Sequence, residues 1–312
     1  MRMGYLQSWL SRVLLPLSRV DRALLCYLLM LNAAILWYRP AGVWTVALAG
    51  HFALAAGIVL LARLAHGKPG AIRFFHLWYP QICFLIFFEE VGQLVHMIHP
   101  GWFDSYLVAF DYQLLGVHPT VWIEQYSSLG LTEIMQGSYF SYYFMLPMVG
   151  GVLYFRKRWR EFEVLMMTAV VGYGTCYLFF YLFPVEGPFH TLASMQSVTL
   201  HGGFFTELMD TLERYGRVHG GAFPSAHVVG SMVSLLVAWK YVRKLAWVMT
   251  PIVVCMLIAT VYGRYHYLAD VLAGLLVATA AFIAVQKLLK LRCTAHRSRD
   301  REGAVNLCCK QV

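Results

Sequence analysis

The segment GGAFPSAHVVGSMVSLLVAW, residues 220–239, changes character in its middle. Its second half is an apolar run of helical length. Its first half sets Pro224, Ser225 and His227 at the mouth of that run. The run is one of several. Of 312 residues, 59% are hydrophobic and 13% charged, where soluble domains carry about 25% charge. Apolar stretches near the ~20 residues needed to span a bilayer recur along the whole chain. The sequence therefore reads as one all-α, polytopic membrane helix bundle. Eight spans are expected, at 23–38, 44–62, 74–96, 133–155, 162–183, 223–240, 246–263 and 267–287.

The charge pattern orients this bundle. Net charge is +9, from 25 basic and 16 acidic residues. A basic balance is also a mark of nucleic-acid binding, but its distribution argues for topology instead. With eight spans, all basic residues except Arg39, Arg214, Arg217 and Arg264 fall on one side. The positive-inside rule places that side, and both termini, in the cytoplasm. Residues 1–22 contain YLQSWLSRVLLPLSRV, apolar at helical spacing with arginines between, and read as a cytoplasmic amphipathic segment on the membrane surface. Residues 23–288 form the membrane domain, and 289–312 a basic cytoplasmic tail. The seven cysteines are scattered and form neither a zinc pattern nor a disulfide framework. Cys308 and Cys309 in the tail are open to lipidation. Two extracytoplasmic segments are long: 97–132, acidic and aromatic without Lys or Arg, and 184–222, opening PVEGPFH. Loops of that length are usually either functional or disordered.

Pro224 suits the first turn of a helix, where its missing N–H costs nothing. The amides of Ser225, Ala226 and His227 would then point outward as a ready anion site. Ser225 adds a hydroxyl donor, the small Ala226 lets an oxyanion reach the backbone, and His227 sets an imidazole beside it. A second motif, VYGRYHYLADVLAG, spans 261–274. His266 and Asp270 are four apart and so share one helix face. Asp270 can accept from one ring nitrogen of His266, which fixes the tautomer and leaves the other nitrogen as nucleophile or base. Gly263 breaks the chain between the seventh and eighth spans, with Arg264 in the turn. Both motifs fall on the extracytoplasmic face.

FPSAH and RYHYLAD resemble the second and third signature motifs of the type 2 phosphatidic acid phosphatase superfamily. They are closest to its branch of inositol phosphorylceramide synthases and related bacterial membrane proteins. FDYQLLGVHP, GSYFSYYFMLP and FPVEGP add to the resemblance, which runs over about 104–285. It implies a lipid phosphatase or phosphotransferase working through a phosphohistidine. His266 resembles the nucleophile, Asp270 its orienting carboxylate, and His227 the general acid. Ser225, Ala226 and their amides, with Arg264 and then Arg217, would hold the phosphate oxygens. No metal or other cofactor is implied. The substrate would be a lipid phosphate or phospholipid, the acceptor water, a polyol or a second lipid. The superfamily's first motif, Lys-x6-Arg-Pro, is absent, and the Ser-Arg that usually opens the third is Ala259-Thr260 here.

Glu89 and Glu90, in FLIFFEEVGQLVHM, are costly inside a span unless paired. They read as ligands for acceptor head-group hydroxyls or as structural contacts, and Tyr142 joins them as a candidate pocket residue. His96 and His99 form only a two-ligand set, weak as a metal site. A transporter is the rival from another class, since intramembrane Glu and His also mark ion paths. Against it, no inverted repeat is visible and the polar motifs gather at one surface. A catalytically silent lipid-binding protein is a further alternative, against which stand the three intact core residues.

Overall fold

The computed structural model of the chain describes residues 16–216 and 218–300. Eleven helices longer than two turns order these residues, and no β-strand occurs among them. They are α1 (Arg19–Tyr38), α2 (Trp44–Ala65), α3 (Ala71–Leu94), α4 (Asp104–Leu115), α5 (Leu129–Phe140), α6 (Tyr142–Phe155), α7 (Trp159–Leu182), α8 (Phe204–Gly216), α9 (Ala226–Tyr241), α10 (Arg243–Tyr262) and α11 (Leu268–Asp300). The all-α membrane bundle expected from the sequence is what the chain forms.

Among the described residues, six helices are long and apolar enough to cross a membrane: α1, α2, α3 with its 3-10 extension to Met97, α7, α10, and α11 as far as Lys290. The expected spans at 133–155 and 223–240 are shorter in the structure. The first is divided at Ser141 into α5 and α6. There, Ser138 donates to the Ile134 carbonyl at 2.7 Å and Ser141 to the Ser138 carbonyl at 2.6 Å. Serine hydroxyls bonding back onto the helix compete with its ladder and bend it. The second starts later, at Ala226, and runs 16 residues, about 24 Å of helix. At the other end, α1 begins at Arg19 because Ser18 and Asp21 form a reciprocal capping box. Most of the amphipathic segment 1–22, and tail residues 301–312 with Cys308 and Cys309, lie outside the described residues. The helix α11 runs on through the first part of that tail, to Asp300.

The bundle is built around α7 and α9. The helix α7 is the most enclosed of the six long apolar helices, and α9 packs against α6, α7, α10 and α11. Small residues set these approaches, as is usual where apolar burial alone gives little preference between helices in lipid. A methyl at Gly172 would stand 2.6 Å from Val229, and one at Gly274 would stand 2.9 Å from the Ser225 carbonyl. Gly274 therefore brings the start of α11 against the start of α9. That contact places the two sequence motifs side by side at one end of the bundle.

The helices α1 to α3 form a lateral layer with its own polar contacts. Asp21 receives the Tyr79 hydroxyl at 2.7 Å and the His76 ring at 3.0 Å. His51 lies between Asn32 at 2.5 Å and Glu90 at 2.9 Å. Asp21, His51 and Glu90 thus each find a partner inside the layer, which keeps their desolvation tolerable.

Candidate active site

The start of α9 is the first component. Ser225 is its N-cap, and its side chain accepts from the Val228 amide at 3.3 Å. Pro224 stands one residue before the cap rather than in the first turn. The Ser225 amide is not an open donor, because it bonds to the Asp270 carbonyl at 3.2 Å. The amides of Ala226 and His227 lie in the first turn, where helix geometry supplies no acceptor.

The second component is the turn between α10 and α11. Gly263 caps α10, and Arg264 follows with a left-handed φ of 62°. The amides of Tyr265 and His266 both donate to the Thr260 carbonyl at 3.0 Å. His266 therefore precedes α11 instead of sharing a helix face with Asp270. The pair still meets, since Asp270 lies in the first turn of α11 and turns back toward the loop. Its Oδ2 takes the Tyr267 amide at 2.8 Å and faces His266 Nδ1 at 3.3 Å. Both residues are buried.

Hydrogen-bond polarity then fixes the tautomers. His266 Nδ1 also lies 3.0 Å from the Ala222 carbonyl. A carbonyl only accepts, so Nδ1 carries the proton and Nε2 keeps a lone pair. That Nε2 faces His227 Nδ1 at 3.4 Å. His227 in turn presents its proton at Nδ1 and takes the Tyr139 hydroxyl at Nε2, 3.0 Å away. The Tyr142 ring packs against His227 at 4.6 Å between centroids, and its hydroxyl meets that of Tyr173 at 2.9 Å. Tyr139, His227, His266 and Asp270 thus form one directed chain, each donating to the next and ending on the Asp270 carboxylate.

Acidic residues from the long acidic segment hold this turn in place. Asp111 receives the Leu268 and Ala269 amides, each at 2.9 Å, and so caps α11. Burial raises its carboxyl above the ordinary value, although both amide bonds oppose that shift. Asp104, two turns earlier on α4, accepts from the Tyr267 hydroxyl at 2.9 Å and from the Glu186 and Gly187 amides at 2.9 and 2.8 Å. Arg264 pairs with Glu124 at 2.6 Å and also reaches the Val198 carbonyl.

The structure thus brings together Ser225, Ala226, His227, His266, Asp270 and Tyr142. It holds Arg264 on Glu124, in the same turn as His266. Arg217 lies outside the described residues. Glu90 is engaged by His51, and Glu89 is exposed. His96 and His99 do not converge as ligands, since the His96 ring bonds the His99 carbonyl at 3.0 Å. The sequence reading assigned no role to Asp104, Asp111 or Glu124. The seven-residue spacing of Asp104 and Asp111, two turns of one helix face, was the available signal.

A family model described as the PAP2 superfamily matches residues 105–284. The chain belongs to the PAP2 superfamily. The match covers every residue of the histidine chain and of the α11 cap, whereas α1 to α3 lie outside it. This PAP2 chain is also 27% identical over 167 residues to a PA-phosphatase related-family protein of Dictyostelium discoideum, covering 46% of this chain and 30% of that protein. The alignment thus spans under a third of that relative. No solved structure matches.

Proposed function

We propose that this PAP2 protein is an integral membrane lipid phosphotransferase or phosphatase working through a phosphohistidine on His266. The reading rests on one observation above the rest. His266 Nδ1 is held by Ala222 and Asp270, while its Nε2 lone pair faces a second imidazole at the start of α9. In the first step Nε2 attacks the phosphorus of a lipid phosphate or phosphodiester. The bond from phosphorus to the leaving lipid oxygen breaks as His227, held as the imidazolium beside the anionic substrate, passes its Nδ1 proton to that oxygen and becomes neutral. A phosphoryl group entering here parts the two imidazoles from their 3.4 Å contact. In the second step His227 takes a proton from water or an acceptor hydroxyl, whose oxygen displaces His266.

The phosphate oxygens gain charge in these steps and need fixed donors. The Ala226 and His227 amides and the Ser225 hydroxyl supply them. That hydroxyl accepts from Val228 and keeps its own proton to donate. Arg264 supports the same role: Nη2 is spent on Glu124, while Nε is buried without a partner. None of these steps uses a metal. By charge distribution the site faces away from the cytoplasm, with both termini cytoplasmic. The resemblance to the inositol phosphorylceramide synthase-like branch favours transfer to a polyol or lipid hydroxyl over hydrolysis.

The test is purified protein with a panel of lipid phosphates and phosphodiesters, tracking free phosphate and new lipids together. Free phosphate that vanishes in His266→Ala makes the protein a phosphatase. A new phospholipid without free phosphate makes it a transferase. Equal product from the variant, or none from any donor, overturns the reading.

A further inference from the structure

A second cluster of ionisable side chains lies in the long 184–222 segment and shares no residue with the histidine chain. Glu186, His190 and His219 each offer a ligand atom, and these atoms lie within 4.8 Å of one another. Among the described residues it is the one group of three or more potential metal ligands that converges. We propose that these three residues form a binding site for a divalent transition-metal ion of the zinc class.

The fold makes the convergence. Val185 and Gly221 form an isolated parallel bridge, with the Ala222 amide on the Val185 carbonyl at 3.3 Å. That bridge lays Glu186 alongside the stretch that holds His219. Asp104 fastens the Glu186 and Gly187 amides, so the backbone under the carboxylate is fixed. The single helical turn Pro188–Thr191 then brings His190 round, and its ring stands 5.0 Å from that of His219. Three ligands thus come from two segments already pinned together.

The donor chemistry selects the ion. Two imidazoles and one carboxylate suit zinc and its neighbours, whereas magnesium and calcium favour all-oxygen sets. Ligand atoms at about 2.0–2.1 Å from tetrahedral zinc stand about 3.4 Å apart. His219 Nδ1 and Glu186 Oε1 already stand 3.4 Å apart, long for a direct hydrogen bond. His219 is exposed, which gives an ion a way in. Three protein ligands leave a fourth position for water or another oxygen ligand. The ion would join segment 185–190 to segment 219–222, whose Ala222 carbonyl holds His266. Its role is to brace that wall, and the reacting atoms stay on the histidines.

The test uses the full chain in detergent, stripped with a chelator and titrated with Co2+ and Zn2+. One ion per chain is expected, with a Co2+ absorption spectrum characteristic of nitrogen and oxygen ligands and a rise in melting temperature on Zn2+ addition. Glu186→Gln, His190→Ala and His219→Ala should each weaken binding at least about tenfold. His219→Ala changes an exposed side chain, so its fold should survive, and the zinc-dependent rise should vanish in it. His266→Ala should bind like the wild type, which separates this site from the phosphotransfer reading. Binding that is substoichiometric, or unchanged in all three ligand variants, overturns the proposal.

Discussion

The starts of α9 and α11 lie within one hydrogen bond of each other, and they are finished in opposite ways. At α11 the Asp111 carboxylate takes the Leu268 and Ala269 amides, and Asp270 takes that of Tyr267. At α9 the cap is the uncharged Ser225 hydroxyl. Both helix ends favour an anion by the same backbone chemistry. The protein supplies the anion at α11 and so fixes the turn that bears His266. At α9 it supplies none, which leaves that end for the phosphate in the proposed mechanism. A histidine–carboxylate pair alone does not make such a site. His51 is paired with Glu90, but its other nitrogen is taken by Asn32. His266 instead turns its free nitrogen toward a second imidazole at a helix start.

If this contrast is right, changes at the two ends separate chemistry from stability. His266→Ala should lower turnover by at least about 1,000-fold while leaving the melting temperature within a few degrees. Steady-state rates and thermal unfolding of the same preparation check both halves. Asp111→Ala should do the reverse in order of importance. It leaves two first-turn amides of α11 unpaired, at about 1–3 kcal/mol each, and the loss should show directly in thermal unfolding.

The α9 cap should give a smaller effect of mixed kind. Ser225→Ala should cost about 1 kcal/mol of stability and lower turnover as well, since the same hydroxyl is assigned to the phosphate. A variant with unchanged turnover would remove Ser225 from that role. A pH series sharpens the other end. The Asp111 carboxyl is raised by burial, so the folded chain holds that proton more tightly than the unfolded one. The resulting stability is present below the unfolded carboxylate value and is lost as pH rises through the folded value. Asp111→Asn has no such proton, so its deficit against wild type should narrow as pH rises from the ordinary carboxylate range. A gap that widened would mean that the ionised form is the favoured one. The smallest effect expected is Tyr139→Phe, which removes one hydrogen bond to His227, worth about 1 kcal/mol, and should slow turnover several-fold with little change in stability.

Much of this site was legible because its signals are local. Ser225, His227, His266 and Asp270 sit in two short motifs, and apolar run length reveals most spans. The parts that were not legible are held by long-range contacts. Glu124 and Arg264 are 140 positions apart, and nothing near Glu124 announces its partner. Asp111 caps a helix that starts 157 residues later. The four-residue spacing of His266 and Asp270 predicted their contact correctly but for a different reason. His266 lies before the helix, and the contact is made by a first-turn carboxylate reaching back. The break at Ser141 lacks the glycine or proline that usually marks one, because serine back-bonding produces it.

The central claim is that His266 itself receives the phosphoryl group, and trapping it is the most direct test. Protein would be mixed with a lipid phosphate labelled at phosphorus, quenched within one turnover in alkali, and digested for mass spectrometry. The account predicts an acid-labile, alkali-stable phosphoryl group on the peptide containing His266, absent from His266→Ala. Label on another residue, or label that persists in His266→Ala, would contradict it.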